Sequence, residues 1–498
     1  MDPRSANAGH GPAAIADLVR RRFANQGGGF DHRRLYDILQ SAIREAEIAP
    51  DSKLPPSRAL AAALGIARNT VTHVYEQLTL EGFVHSRVGR GTFVAAVAPR
   101  LARRDLPPSA PEKRRATLSS RGGRLIGGLS AAPRQWGAFA PGVPEVRQFP
   151  VQTWNRLQAR VWRGLQPAQM SYATGAGDAL LRRVLAEYLQ DTRGLHCSAE
   201  QIVITSGTQQ SLHLIAHLLT DPGDAIWIED PGYWGVRSVF RAMGLEMIPV
   251  PLDAEGLAPN TAHLRTPPRA MFVSPAHQYP TGVLMSHGRR RQLLDYAAVN
   301  GVWVIEDDYD SEFRYGSRPL PVLQGLDRHG RVIYLGTFSK TLFPALRVAY
   351  AVLPEDLVDS FASASRELYR EGHSPQQAVL ARFIFEGHFS SHVRRMRAVY
   401  GARHDALIAS IQQHFGDQLP IIGGDAGLHL VLGLPAGVDD RLLSERIASA
   451  GIATRPLSNY QISARRSDRG LLLGYGAVDE QEIGPHFAKL AAIVGRYV

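Results

Sequence analysis

Five short apolar runs between residues 201 and 335 constrain this chain more than any other feature. They are Gln201–Thr205 (QIVIT), Ala225–Glu229 (AIWIE), Ala270–Ser274 (AMFVS), Val302–Glu306 (VWVIE) and Val332–Leu335 (VIYL). Each is rich in β-branched or aromatic residues, and each is followed by a spacer long enough to hold a helix. Strands that are apolar on both faces belong to a mostly parallel sheet with helices on either side. Residues 134–498 are therefore expected to form an α/β body. Open sheets of this kind bind ligands at the carboxyl ends of their strands, so the residues that follow each run are where chemistry is expected.

Those residues form an ordered set. Ser206-Gly207-Thr208-Gln209 joins the first run to the helical stretch SLHLIAHLL. A glycine turn opening a helix offers free N–H groups to an anion. Tyr233 follows the second run and can stack on a ring. Asp307 and Tyr309 close the fourth. A carboxylate there can hold a protonated ring nitrogen, and a phenol two residues on can bond a ring oxygen. Thr337-Phe338-Ser339-Lys340 follows the fifth run, with Arg347 seven residues later. Arginine pairs bidentately with phosphate. Taken alone, the acidic run Glu306–Asp310 could also hold a magnesium ion, but no phosphate-transfer motif accompanies it. Cys197 is the single cysteine, which excludes an intrachain disulfide and cysteine-based zinc sites.

In this order, across about residues 135–498, the features resemble the fold-type I pyridoxal 5'-phosphate (PLP) enzymes of the class I aminotransferase group. The resemblance implies that Lys340 holds the cofactor as a Schiff base. It implies that Asp307 faces the ring nitrogen, Tyr309 the 3′ oxygen and Tyr233 the ring face. Gly207, Thr208, Thr337 and Arg347 would bind the phosphate. Tyr172, in the run Tyr172–Gly177, would reach the phosphate of a partner subunit, implying a homodimer with shared sites. Two departures accompany the likeness. Aminotransferases carry Asn-Pro-Thr-Gly where this chain has His277-Gln278-Tyr279-Pro280-Thr281-Gly282, so Tyr279 replaces the asparagine that tunes the 3′ oxygen. The arginine for a substrate carboxylate is also not marked by a motif. Arg455 is the candidate for effector binding, with a surface salt bridge as the equal alternative.

The first hundred residues have a different grammar. In Lys53–Val94, Ser57 follows two prolines and is expected to cap a helix ending near Leu64. Gly65 supplies a turn. Val71, Val74, Tyr75 and Leu78 then repeat at helical spacing, leaving Arg68, Asn69, Thr72 and His73 on the outer side. Arginine and asparagine read guanine and adenine edges, and a recognition helix uses its N-terminal residues to do so. Phe83–Val88 and Thr92–Val94 bracket a basic turn suited to phosphate. The sequence LPPSRALA…LGIARNTV…EGFV…GRGTFV resembles the winged helix-turn-helix of the GntR family. It implies double-stranded DNA contacts from Ser57, Arg58, Arg68, Asn69, Thr70, Thr72, Arg90, Gly91 and Thr92. Ala67 stands where many such sequences place a capping serine, a loss of about 0.5–2 kcal/mol of helix stability.

The expected organisation is a disordered extension (1–30), a winged helix-turn-helix (31–95), a basic flexible linker (96–133) and the PLP-binding body (134–498). Arg100, Arg103, Arg104, Lys113, Arg114, Arg115, Arg121 and Arg124 make the linker basic, and the chain's net charge of +10 suits a polyanionic partner. No apolar run is long enough for a bilayer and no signal-peptide core is evident, so a cytoplasmic protein without membrane contact is expected. Head, linker and body together resemble the MocR-type transcription regulators. That resemblance implies operator binding governed by a small amine or amino-acid effector, with at most weak transaminase activity. Two alternatives stand beside it: a sensor of PLP itself controlling vitamin B6 supply, and a working aminotransferase with an attached DNA-binding domain.

Overall fold

The computed structural model describes residues 11–25, 29–96, 117–127, 136–172, 175–315, 321–370, 373–463 and 468–498. The chain divides into two compact units, Met1–Thr117 and Leu118–Val498.

The first unit contains α1 (Pro12–Asn25), α2 (Asp31–Arg44), α3 (Ser57–Leu64), α4 (Arg68–Leu80), β1 (Val84–Arg87) and β2 (Gly91–Val94). The expectation of disorder over residues 1–30 fails at α1. Ile15, Val19 and Phe23 fall one helical turn apart on a single face and are buried with Leu35, Ile38 and Leu39 of α2. This is the apolar stripe that turns a polar stretch into a packed helix. Ser57 is also corrected: Pro56 holds the N-cap position of α3 without a side-chain bond, and Ser57 is the first helical residue. Gly65, with φ 68°, ends α3 in the left-handed conformation that glycine adopts at low cost. Helix α4 buries Val71, Val74, Tyr75 and Leu78, and its N-cap Ala67 makes no capping bond. Strands β1 and β2 pair antiparallel from Val84↔Val94 to Arg87↔Gly91.

The second unit begins earlier than expected. Ser120–Gly127 is a helix, α5, within the stretch expected to be a flexible linker. The Ser119 hydroxyl accepts from Gly122 N at 3.0 Å, and the Arg121 guanidinium donates to the Ala242 carbonyl. The first turn thus gains a cap and the side chain an anchor. The linker's Arg100, Arg103, Arg104, Lys113, Arg114 and Arg115 lie outside the described residues, as does the side chain of Arg124.

The elements that follow are α6 (Val151–Arg163), α7 (Ala179–Arg193), β3 (Ile202–Thr205), α8 (Thr208–Leu219), β4 (Ala225–Asp230), α9 (Trp234–Met243), β5 (Glu246–Asp253), β6 (Gly256–Leu257), α10 (Thr261–Arg265), β7 (Ala270–Val273), α11 (His287–Asn300), β8 (Trp303–Asp308), α12 (Leu323–Leu326), β9 (Val332–Thr337) and β10 (Ala349–Val352). Their strands form one sheet of order β3-β10-β9-β8-β7-β4-β5-β6. Strands β9, β8, β7, β4 and β5 run parallel, while β10 lies antiparallel between β3 and β9.

Both faces are apolar, as the sequence required. Ile228, Phe272, Ile305 and Ile333 pack against α8 and α9. The alternate residues Trp227, Met271, Val304 and Val332 pack with α11 on the other side. Downstream lie α13 (Val358–Tyr369), α14 (Ser374–Phe385), α15 (His388–Phe415), β11 (Ile421–Ile422), β12 (His429–Leu434), α16 (Asp440–Ser449), β13 (Arg455–Pro456), β14 (Arg469–Gly474) and α17 (Glu480–Val494), with β11-β12-β14-β13 forming a second, antiparallel sheet. The segment before α6 threads between the two sheets. Ala138 bridges Ile452, and the Phe139 carbonyl accepts from Gly474 N at 2.9 Å.

Candidate functional site

The turns after β3, β4, β7, β8 and β9 all leave the same edge of the large sheet, and Arg347 enters β10 from that edge. The residues singled out in the sequence therefore converge. Lys340 donates from Nζ to the Gly142 carbonyl at 2.7 Å. Burial lowers its pKa, against the pull of Asp310 and Asp307. Gly142, with φ 73°, leaves the space: a Cβ there would lie 3.0 Å from Lys340 Nζ.

Asp307 is 6% exposed, and its Oδ1 is buried with no hydrogen-bond partner. Desolvation, reinforced by Asp308, Glu229 and Asp310, pushes its pKa up to about 8. The other acids of the run have partners. Glu306 accepts from the N–H groups of Leu323 and Gln324 at 2.8 and 3.0 Å. Asp308 accepts from Arg193 at 2.9 Å and from Tyr334 at 2.6 Å, and Glu312 pairs with Arg193 at 2.6 Å. Asp310 faces His277 Nδ1 at 3.0 Å. The carboxylates thus point to separate partners, and only Asp307 presents an unmatched acceptor.

Tyr309 OH lies 2.9 Å from His277 Nδ1. Burial raises the pKa of Tyr309 far above the ordinary phenol value, so it stays protonated. Tyr233 and Tyr279 meet edge to face with ring centroids 6.0 Å apart. The Tyr279 hydroxyl is engaged with that of Tyr460 at 3.1 Å.

At the β3–α8 turn, Gly207 has φ 136°, and a Cβ there would come within 2.9 Å of the Arg347 guanidinium. The Gly207 carbonyl accepts from Gln210 N and Ser211 N at 2.9 and 3.3 Å. The N–H groups of Thr208 and Gln209 have no helical acceptor at this end. No carboxylate among the described residues pairs with Arg347. The Thr337 hydroxyl accepts from Ser339 N at 3.2 Å and donates to the Ser339 hydroxyl at 3.1 Å. A cationic fork, a glycine that lets it approach, and a helix N-terminus together make an anion cradle.

In the first unit, Arg58, Arg68 and Asn69 are exposed, and Thr70 half-buried. The Thr72 hydroxyl donates to the Arg68 carbonyl at 3.1 Å, so it is partly occupied by its own helix. Arg90 is exposed between β1 and β2, and Gly91 and Thr92 open β2. Two cations that the sequence did not single out join them. Lys53 Nζ and the Arg87 guanidinium lie 5.9 and 5.2 Å from the ring centroid of Phe93. Arg87 was legible from the alternation of a short strand, whereas Lys53 reaches the wing only through its long-range bridge to Phe93.

Known proteins match both units. Residues 142–469 match the family "Aminotransferase class I and II", and residues 32–94 match "Bacterial regulatory proteins, gntR family". The probable rhizopine catabolism regulatory protein MocR of Rhizobium meliloti is 39% identical over 463 residues, covering 90% of each chain. The chain belongs to the MocR-type regulators of the GntR family.

A pyridoxine biosynthesis transcriptional regulator, PdxR of Corynebacterium glutamicum, is 31% identical, with 90% of this chain and 93% of that one covered. Among solved structures, kynurenine aminotransferase of Pyrococcus horikoshii superposes with TM-score 0.67 at 26% identity, covering 79% of this chain and 98% of that one. This MocR-type regulator thus joins a helix-turn-helix head to an aminotransferase-fold body. No helix among the described residues is long and apolar enough to cross a membrane.

Two sequence candidates lie apart from the Lys340 cluster or at its margin. Tyr172 is 77% exposed and faces the Arg370 guanidinium at 6.0 Å, with no hydrogen bond to the cluster. Arg455, on β13, is half-buried, and its charge lowers the pKa of both Tyr279 and Tyr460 against the rise that burial causes. Gly142 and the His277–Asp310 pair carry no role in the sequence reading, although His277 stood in a motif that invited one.

Proposed function

We propose that the body of this regulator holds PLP at Lys340 and that an amine effector, by exchanging with that lysine, alters how the head binds operator DNA. The observation that carries the reading is the buried, unpartnered Oδ1 of Asp307 at one end of a crevice with an anion cradle at Gly207 and Arg347. A lone buried acceptor is costly, and a protonated ring nitrogen would satisfy it. Bound PLP supplies an aldehyde that condenses reversibly with primary amines and a ring that accepts electrons.

The chain's residues have the remaining tasks. Lys340, its pKa lowered by burial, offers the amine that carries the cofactor. Tyr309 donates to the 3′ oxygen and Tyr233 covers the ring. Gly207, Thr208, Thr337 and Arg347 hold the phosphate. Arg455, beside Tyr279 and Tyr460, meets an effector carboxylate. Val151, Trp162, Met170, Tyr172 and Phe385 are exposed apolar side chains of the kind that a second copy covers, and Tyr172 would reach the partner's phosphate. In the head, Arg68 and Asn69 read bases, assisted by Arg58 and Thr70. Ser57, Thr72, Arg90, Gly91 and Thr92 line the phosphate backbone with Lys53 and Arg87. The proposed domain limits are 12–96 for the head and 118–498 for the body, with a basic connection between them in a cytoplasmic homodimer.

A second reading, that PLP itself is the signal, is favoured by the likeness to a regulator named for pyridoxine biosynthesis. One experiment separates them. The protein is mixed with a panel of amino acids and ω-amines while the visible spectrum, ketone product and operator affinity are recorded together. The amine reading expects one amine to shift the band and the affinity with little ketone, and Lys340→Ala to lose the borohydride-reducible band. Operator binding that follows PLP alone supports the second reading. Rapid multiple turnover with unchanged affinity overturns both.

A further inference from the structure

The aminotransferase pattern places asparagine where this chain has Tyr279, and the Tyr279 hydroxyl is spent on Tyr460 at 3.1 Å. The 3′ oxygen therefore loses one direct donor. Two residues upstream, the same motif carries His277, whose imidazole lies behind Tyr309. Its Nδ1 is 3.0 and 3.2 Å from the two carboxylate oxygens of Asp310 and 2.9 Å from Tyr309 OH.

One nitrogen with two oxygen neighbours has a definite proton assignment. A bare Nδ1 would set its lone pair against the Asp310 carboxylate. A hydrogen on Nδ1 satisfies Asp310 and also points towards the Tyr309 oxygen. Nε2 is buried with no hydrogen-bond partner, so a second hydrogen there would have no acceptor. The hydrogen shared with these oxygens is therefore carried on Nδ1. A phenol whose oxygen already faces a donor must send its own hydrogen elsewhere, and the open direction is the crevice.

The ring is held in place from several sides. A Cβ on Gly427, at φ 79°, would collide with it, and one on Gly282, at φ 74°, would come within 3.2 Å of Nε2. His429 lies 5.2 Å away, ring to ring, and is neutral because burial lowers its pKa to about 3. The other titratable groups around the pair and the phenol are Tyr279, Asp307, Glu229, Lys340, Arg314, Tyr315 and Tyr475. None of these offers Nδ1 a competing hydrogen bond.

We infer that His277, oriented by Asp310, is a positioning residue that commits the Tyr309 hydroxyl to donate towards the cofactor's 3′ oxygen, replacing through Tyr309 what the missing asparagine would supply directly. The inference rests on the PLP reading given above. A donor into the 3′ oxygen favours the deprotonated state of the bound cofactor, which carries more negative charge there. Losing the donor should therefore raise the pH at which the visible band titrates.

The test is a spectrophotometric pH titration of full-length, PLP-loaded protein. His277→Phe keeps the ring volume and removes the donor; the midpoint should rise by about one pH unit, the scale of one hydrogen bond to a charged group. His277→Leu removes the same donor with a smaller side chain; the midpoint should rise likewise. Tyr309→Phe should raise it as well, and adding either change to Tyr309→Phe should have no further effect. An unchanged midpoint in a folded His277 variant overturns the inference. So does a shift of the same size in the Tyr309→Phe background, because His277 would then act without the phenol. If His277→Phe does not fold, His277→Leu and Tyr309→Phe decide alone. A wild-type protein with no visible band would instead overturn the PLP reading.

Discussion

Asp307→Asn should stabilise the cofactor-free body increasingly as pH rises, while weakening its hold on PLP. The carboxyl has its pKa raised from 3.8 to about 8 because it is buried beside Asp308, Glu229 and Asp310. Between those values the folded body binds a proton that the unfolded chain releases, so stability falls as pH rises through that window. Each unit of displacement corresponds to about 1.4 kcal/mol. From pH 5 to pH 8 the ceiling on the loss is thus about 4 kcal/mol. Buried sites respond as if their surroundings were more polarisable than dry protein, so about half of that is expected, several degrees in the midpoint. Asparagine does not titrate, and its own burial cost is independent of pH, so the slope is diagnostic. The assay is urea unfolding of PLP-stripped wild type and variant at half-unit steps from pH 5 to 8. The stability difference should move in the variant's favour by about 2 kcal/mol over that range. With PLP added, the wild type should regain the advantage, because only the carboxylate pairs with a ring cation. A stability difference that stays flat with pH would refute the placement of a strained acid at this position. Glu306, pushed up to about 7 by burial, titrates in both proteins and cancels from the comparison, whereas Glu229, which interacts with Asp307, belongs to the titration being read.

Two further expectations concern the head. Arg68→Ala should lose about 1–3 kcal/mol at one cognate base pair and relax specificity there, whereas Arg90→Ala should weaken all sequences alike and flatten the salt dependence; equal effects on cognate and random DNA would contradict that division. Phe23→Ala should destabilise the head by about 3–5 kcal/mol in denaturant unfolding, since the ring is 8% exposed and lies under the Arg34 guanidinium at 4.1 Å; a change within about 0.5 kcal/mol would mean that α1 does not pack.

The sequence was most legible where a periodic pattern and a turn coincide. The five apolar runs became β3, β4, β7, β8 and β9; β3 and β7 are a residue shorter than the runs, while β4, β8 and β9 continue by a residue or two at their carboxyl ends, as at Asp307 and Asp308 in β8. The recognition helix was readable because four apolar residues at helical spacing leave one face free. Helix α1 was missed for a compositional reason: the glycines and polar residues around it mask a stripe of three. Helix α5 was missed because eight residues with three glycines have little intrinsic helicity, and its position depends on Arg121 finding the Ala242 carbonyl. No local pattern announces a contact of that kind. Gly142 was unreadable for the same reason, being brought to Lys340 across nearly 200 residues by the threading of one segment between two sheets.

The acidic run Glu306–Glu312 shows how alternation can choose among similar residues. In β8, Val304 faces α11 and Ile305 faces the opposite side with α8 and α9. Period-two geometry then sends Glu306 and Asp308 to the side of Val304, where backbone N–H groups and Arg193 meet them, and sends Asp307 the other way. Polar partners were built on one side only. The residue directed away from them is the one that keeps an unmatched oxygen, at the strand end where the Gly207 turn and Lys340 also lie. The phase of the strand thus distinguishes a structural carboxylate from a functional one before any partner is known. The same phase explains why a one-residue slip of β8 would disable the crevice. It would bury Asp308 where Asp307 stands, take from Arg193 one of its two carboxylate partners, and turn Tyr309 away from His277. Register in this strand is therefore held by the carboxylate contacts on its far side as much as by its apolar core.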